Sequence, residues 1–214
     1  RRRYVWAMRV IEVDERDSTW ERDDPRFRIY IFAGADNAVT TFDVLDASVD
    51  EALDTAKEIS HRDQQLWSLA LVENDTRGLR GLLWLSGMDY NDAPSTAREW
   101  RQRRQMQERY LIAKRKADAA TVLPNGLRVV RVFPEWVSGW PLWESFTDAY
   151  RLNGEDLGLS AALSAELYEW NETWANREPD DPLPQNWEAH GLELVRRLQG
   201  ELAGVAEVRP EFLA

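Results

Sequence analysis

The sequence contains no cysteine, and this absence excludes several kinds of structure and chemistry at once. Disulfide bonds, zinc–thiolate centres and cysteine nucleophiles cannot form without it. Histidine is scarce as well, and the chain contains only His61 and His190. Neither residue stands in a recognisable catalytic pattern, so we predict no catalytic histidine.

Long hydrophobic runs and known functional motifs are also missing. No apolar stretch approaches the roughly 18 residues that a membrane span needs, and no signal-peptide pattern opens the chain. We therefore expect a cytoplasmic protein with no membrane partner. The sequence lacks the motifs of phosphate loops, dinucleotide-binding folds, zinc proteases and serine hydrolases. It thus predicts no cofactor, and its motifs point to no catalytic residue.

What the sequence does contain is typical of a globular protein with an uneven charge distribution. Of its 214 residues, 43% are hydrophobic and 30% are charged. Residues 1–116 carry 20 basic and 21 acidic side chains, whereas residues 117–214 carry 7 and 17. Nearly all of the net charge of −11 therefore belongs to the second part. Such an acidic part would repel nucleic acid and favours a basic protein partner.

The first part, residues 1–117, is predicted to form an α+β sheet domain with the element order βββαββα. Capping boxes at Ser48–Glu51 and Thr96–Glu99 mark the starts of two helices. Short connections between the predicted strands imply a largely antiparallel sheet. The predicted strands cover residues 4–13, 27–32, 39–44, 66–72 and 79–85.

The second part, residues 118–214, is predicted to be acidic, tryptophan-rich and mainly helical. A strand over 127–133 precedes an irregular, tryptophan-rich loop over 134–159, and an αα-hairpin follows. Residues 206–208 are a candidate last strand. The strands at 66–72 and 79–85 are apolar on both faces, so their sheet needs two covers. We expect the αα-hairpin to supply one of them, and hence the two parts to pack together.

One polar loop is a candidate for metal chemistry. Asp89, Asn91 and Asp92 offer oxygen ligands of the kind that Mg²⁺ and Ca²⁺ prefer. Arg103, however, falls on the apolar side of the following helix, where a buried arginine needs a carboxylate. We favour an ion pair of Asp89 and Asp92 with Arg103 over a metal site. A metal-dependent enzyme built on this loop is kept as an alternative.

The chain contains eleven tryptophans, and those in irregular segments are candidates for binding a partner. Aromatic anchors dominate protein interfaces, and acidic helix faces attract basic partners. The same tryptophans could stack on sugar rings, or could be buried in a small core of their own. The predicted partner-binding residues are Trp136, Trp140, Trp143, Glu166, Glu169 and Glu172.

Residues 67–72, 84–92 and 158–160 resemble small uncharacterised acidic proteins of high-GC actinobacteria, which implies a bacterial source. These residues match no characterised family. In architecture and acidity alone, the chain is similar to immunity proteins that neutralise secreted toxins. We predict a non-catalytic protein-binding module, immunity- or inhibitor-like, that docks a basic partner through its acidic part. The alternatives are the metal-dependent enzyme and a carbohydrate-binding or structural protein that uses the loop tryptophans.

Overall fold

A computed structural model describes residues 10–137, 139–178 and 180–213. In the described part, two antiparallel hairpins and two helices make up the first half of the fold. The elements are β1 (Phe27–Ala33), β2 (Ala38–Val44), α1 (Val49–Ile59), β3 (Leu66–Asn74), β4 (Arg80–Ser86) and α2 (Ala97–Lys116).

The four strands β1–β4 form one fully antiparallel sheet in the order β2-β1-β3-β4. The two hairpins therefore pair through their inner strands, β1 and β3, and leave β2 and β4 at the edges. Both helices begin at complete capping boxes, with Ser48 and Thr96 as the N-caps. Each cap satisfies backbone amides that the first helical turn would otherwise leave unpaired.

The two faces of this sheet are covered by different helices. On one face, Ile29 and Trp67 pack against Ala52 and Ala56 of α1. On the other face, Phe32 and Leu66 pack against Met106, Tyr110 and Leu111 of α2. The alternation of side chains along β1 and β3 produces these two separate cores.

The second half of the fold has its own sheet. Its elements are β5 (Arg128–Val132), β6 (Leu142–Glu144), β7 (Arg151–Leu152), α3 (Ala161–Ala175), α4 (Trp187–Glu201) and β8 (Ala206–Pro210). The strand order is β7-β6-β5-β8, with β5 and β8 parallel and the other pairs antiparallel. The helices α3 and α4 pack as an αα-hairpin on this second sheet, and their apolar stripes fill its core.

A pair of stacked tryptophans ties the αα-hairpin together. The rings of Trp170 and Trp187 lie 4.2 Å apart at an interplanar angle of 11°. Each indole N–H donates to the backbone carbonyl of the other residue, at 3.0 and 3.2 Å. Phe212 packs edge-on against both rings. These two buried indoles therefore have their polar atoms satisfied, which their burial requires.

Residues from both sheets meet around α2. Leu123 and Val129, which belong to the second part of the chain, pack in the same cluster as Phe32 and Leu66. The helix α2 contacts β3 on one side and β8 on the other. It thus covers the first sheet and also forms the contact between the two sheets.

The predicted α+β class with a largely antiparallel sheet is confirmed. Some details differ. Residues 4–9 of the predicted first strand lie outside the described residues, and residues 10–13 form no strand and are exposed. The segment predicted as an irregular loop contains β6 and β7. The second cover of the first sheet is α2 rather than the αα-hairpin, because the hairpin is occupied by a second sheet that the sequence did not reveal.

Candidate functional site

Among the described residues of the second half, Trp136 is the most exposed aromatic residue, at 52%, ahead of Tyr150 and Tyr168. Its ring packs at a tilt against Trp174 of α3, with centroids 4.2 Å apart and an interplanar angle of 42°. The guanidinium of Arg177 lies 5.1 Å from the centre of the Trp174 ring. Trp136 therefore presents an indole to solvent from a supported position.

The segment that carries Trp136 is fixed to α3 by a buried asparagine. The side chain of Asn171 accepts a hydrogen bond from the backbone N–H of Glu135 at 2.9 Å and donates one to its carbonyl at 3.1 Å. Asn171 is fully buried. Asn171 was not among the predicted site residues, although a polar residue among the apolar positions of a predicted helix is a usable signal.

The other two predicted anchor tryptophans are packed against the protein. Trp143 lies in β6, is 9% exposed, and stacks between Phe133 and Tyr150. Trp140 is half-buried against the αα-hairpin core and contacts the ring of Tyr168. Of the three predicted anchors, Trp136 therefore has by far the most surface for a partner to contact.

The three predicted acidic residues also differ in exposure and in pairing. Glu166 forms an ion pair with Arg197 of α4 at 2.6 Å, and this hydrogen bond lowers the pKa of Glu166. Glu169 is exposed and Glu172 is half-buried. More exposed carboxylates follow in the α3–α4 loop and the first turn of α4. We call the following set the acidic surface: Glu169, Glu172, Glu178, Asp180, Asp181 and Glu188.

The acidic α3–α4 loop follows the helical turn against which Trp136 packs. Trp174, the residue that Trp136 contacts, is in the last turn of α3, and Glu178, Asp180 and Asp181 follow in the loop. The loop is ordered by Arg177, which donates to the backbone carbonyls of Glu178 and Asp181. The end of α3 and the α3–α4 loop thus carry both an aromatic anchor and several negative charges.

The predicted ion pair of Arg103 with Asp89 and Asp92 is wrong, since Arg103 has another carboxylate. Its Nε and Nη2 donate to the two carboxylate oxygens of Glu207 in β8, both at 2.8 Å. Its Nη1 donates to the carbonyl of Tyr90, and its guanidinium lies over the Tyr90 ring at 3.9 Å. The fold places β8 beside α2, so the carboxylate that pairs with Arg103 comes from Glu207, which is distant in sequence.

The side chains of Asp89 and Asn91 form hydrogen bonds that hold this loop in place. The carboxylate of Asp89 accepts from the backbone N–H of Asn91 at 3.0 Å, as in an Asx turn. The side chain of Asn91 donates to the carbonyl of Asn37 at 3.3 Å. Within the described residues, no group of three or more histidine or acidic side chains has an arrangement suited to a metal ion.

The contact between α2 and β8 is a connected charge network that the sequence did not predict. Gln107 donates to Glu207 at 2.5 Å and to the Tyr90 hydroxyl at 2.9 Å, and it accepts from Arg209 at 3.1 Å. Arg209, which is 1% exposed, pairs with Glu211 at 2.6 Å. Burial raises the pKa of Tyr90, so its hydroxyl stays protonated. No local sequence signal identifies these partners, because they are about a hundred residues apart.

The helices of the described part are not membrane-spanning in character. None of them combines the length and the apolar composition that crossing a bilayer requires.

A family model described as Serratia CdiI immunity protein-like matches residues 128–209. A characterised family is therefore similar to part of this chain, contrary to the expectation from the sequence. The match begins at β5 and ends in β8, so it covers the second sheet and the αα-hairpin with the acidic surface. No curated protein and no solved structure matches the chain significantly.

Proposed function

We propose that this protein is a non-catalytic, immunity-like binding module that docks a basic protein partner through the acidic surface and Trp136. The family match over residues 128–209 supports an immunity-type role. The observation that carries the proposal is a half-exposed indole, packed on Trp174 at the end of α3, in a half of the chain whose α3, α3–α4 loop and α4 carry exposed carboxylates.

The charge of this half supports a basic partner. Residues 117–214 contain 17 acidic and 7 basic side chains. Clustered charge of one sign accelerates the encounter with an oppositely charged protein and repels nucleic acid. A bacterial cytoplasmic inhibitor that must capture a toxin quickly would benefit from such steering.

We assign most of the binding affinity for the partner to Trp136. A tryptophan that is already held in place loses little conformational freedom when a partner covers it. Trp136 is held by its tilted ring contact with Trp174 and by the hydrogen bonds of Asn171 to the neighbouring Glu135. Rigid aromatic anchors of this kind are typical hot spots.

The alternatives have less support. The metal-dependent enzyme would use Asp89, Asn91 and Asp92, but Asp89 and Asn91 hydrogen-bond within and next to their own loop. A carbohydrate site built on the three loop tryptophans would need all three indoles exposed, whereas Trp140 and Trp143 pack against protein.

The test is capture of partners from the native cell by the immobilised protein, followed by binding kinetics on each captured protein. We expect a basic partner whose association slows with salt, because the Debye length falls from about 10 Å at 0.1 M to about 3 Å at 1 M. The double variant Glu169→Lys/Glu172→Lys should slow association at least tenfold at low salt, by an order-of-magnitude estimate. The variant Trp136→Ala should instead speed dissociation, by roughly thirtyfold or more for a hot spot worth about 2 kcal/mol.

Matched control variants separate this surface from general charge effects. Asp54→Lys/Glu58→Lys makes the same charge change on exposed acids of α1. Trp20→Ala removes a tryptophan that is 70% exposed in the other half. Both controls should bind as the unaltered protein does. Equal effects of test and control variants, or a partner that is indifferent to salt and to Trp136, would refute the proposal.

A further inference from the structure

The two edges of the first sheet differ in how they are protected. At one edge, β2 exposes Val39 and Phe42, but it also carries Thr40, Thr41 and Asp43, and Asp43 forms ion pairs with Arg26 and Arg28. Charged and polar residues of this kind discourage pairing with another strand. The opposite edge, β4, has the sequence Arg-Gly-Leu-Leu-Trp-Leu-Ser and contains neither an acid, a lysine nor a proline.

The side chains of β4 expose apolar surface on both faces of the sheet. Leu82 pairs with Val72 and Leu83 pairs with Leu71, so these neighbours point to opposite faces. Leu82 is 39% exposed, Leu83 is 52% exposed and Leu85 is 41% exposed. In the described part of the chain, β4 has β3 as its one strand neighbour. Its outer edge is thus an apolar run, Leu82–Leu85, that ends at a β-bulge at Leu85, and an apolar edge of this kind can pair with another strand.

We propose that β4 pairs with the β4 strand of a second copy of this chain, which gives a homodimer with a continuous eight-stranded sheet. A strand that joins this edge must be apolar on both faces to cover both sets of leucines, and β4 itself meets that requirement. A two-fold axis would make the interface self-complementary, as is usual for homodimers.

The register that follows from symmetry places the β-bulge residue Leu85 opposite Gly81, which has no side chain to clash with it. Antiparallel pairing centred on Leu83 places Leu83 opposite its own copy and Leu82 opposite Trp84. Arg80, the charged residue of the strand, then lies opposite Ser86 rather than opposite another arginine. Apolar and aromatic cross-strand pairs of this kind stabilise antiparallel sheets.

The distribution of charge also favours a second copy at this edge. Residues 1–116 contain 20 basic and 21 acidic side chains, so two copies that meet through the first sheet are not strongly repelled. Self-association through the second half would bring together two parts with a large excess of acid. The β4 edge is also separate from the acidic surface, so this inference does not depend on the proposed function.

The first experiment measures molar mass against concentration by sedimentation equilibrium on the full chain. We expect a species of twice the 24.9 kDa chain mass that grows with concentration. Leu83→Lys should raise the dimer dissociation constant at least about tenfold, because two like charges would meet at the symmetry axis. The matched variant Val39→Lys, at a 44% exposed residue of the other edge, should leave it unchanged.

The second experiment uses the absence of cysteine from the chain. Directly opposite residues of an antiparallel pair have Cα atoms about 4.5–5.5 Å apart, within the range that a disulfide spans. Under mild oxidation, Leu83→Cys should form a disulfide-linked dimer, and Val39→Cys should not. Thermal melting of each variant checks that it is folded.

Three results would overturn the inference. The protein could remain monomeric up to about 100 μM, a range in which even weak edge pairing is detected. The dimer could resist Leu83→Lys but be lost with Val39→Lys. Cross-linking could occur through Val39→Cys instead of Leu83→Cys.

Discussion

The bidentate contact of Arg103 with Glu207 allows a sharp test of how the two sheets are held together. Each of these side chains is 13% exposed, and Glu207 also accepts from Gln107. The variant Glu207→Ala would leave Arg103 in a largely buried position without its carboxylate. Removal of one partner of a buried ion pair typically costs about 3–5 kcal/mol.

The lower end of that range applies here. Without Glu207, Arg103 keeps its hydrogen bond to the Tyr90 carbonyl and its position over the Tyr90 ring. We therefore expect Glu207→Ala to lower the free energy of unfolding by about 3 kcal/mol. For a chain of this size that corresponds to a fall in Tm of about 6–12 °C. Thermal and urea unfolding, followed by circular dichroism, measure both quantities.

Two comparison variants make the test specific. Glu193→Ala removes the same charge from an exposed pair with Arg196 and should leave the Tm nearly unchanged. The double variant Arg103→Met/Glu207→Leu should recover much of the lost stability, because it leaves no unpaired buried charge. If Glu207→Ala is no more destabilising than Glu193→Ala, the contact between α2 and β8 does not have the energetic role that we assign to it.

Three further predictions concern other parts of the fold. The hydrogen bond from Arg28 lowers the pKa of Asp43 to about 2. The contribution of this carboxylate to stability is therefore present above about pH 4 and is lost as the pH falls towards 2. After allowance for solvent screening, Asp43→Asn should lower the free energy of unfolding by about 1 kcal/mol at pH 7, and urea unfolding at several pH values should show this difference vanish at low pH. Gly87→Ala should lower the free energy of unfolding by about 2 kcal/mol in urea unfolding, because Gly87 has φ +78° and an added Cβ would lie 2.8 Å from the Cβ of Ser68. The same change at Gly200, an open position inside α4, should cost nothing and should stabilise the helix slightly. Millimolar Mg²⁺ or Ca²⁺ should not change the Tm, because the carboxylate of Asp89 is engaged in a hydrogen bond within its own turn. A metal-dependent rise in the Tm would favour the metal-dependent enzyme instead.

The local elements were predictable because their signals lie within a few residues of each other. The capping boxes at Ser48 and Thr96 predicted the starts of α1 and α2, which are the observed ones. A capping box is a pair of hydrogen bonds between residues three apart, so no tertiary contact is needed to form it. Short apolar, β-prone runs located β1 and β3, and the short connections between the predicted strands implied the antiparallel sheet that the structure contains.

Tertiary contacts decided the features that matter for function. The sequence indicated that Arg103 needs a carboxylate, but the identity of Glu207 depends on β8 lying beside α2. Likewise, the sequence marked the loop tryptophans as candidate anchors without showing which are covered. Trp143 is buried because residues 142–144 form a strand, and Trp136 stays half-exposed because its contact with Trp174 covers only part of the indole. Exposure and ion-pair partners are properties of which segments meet in space, and composition and spacing do not determine them.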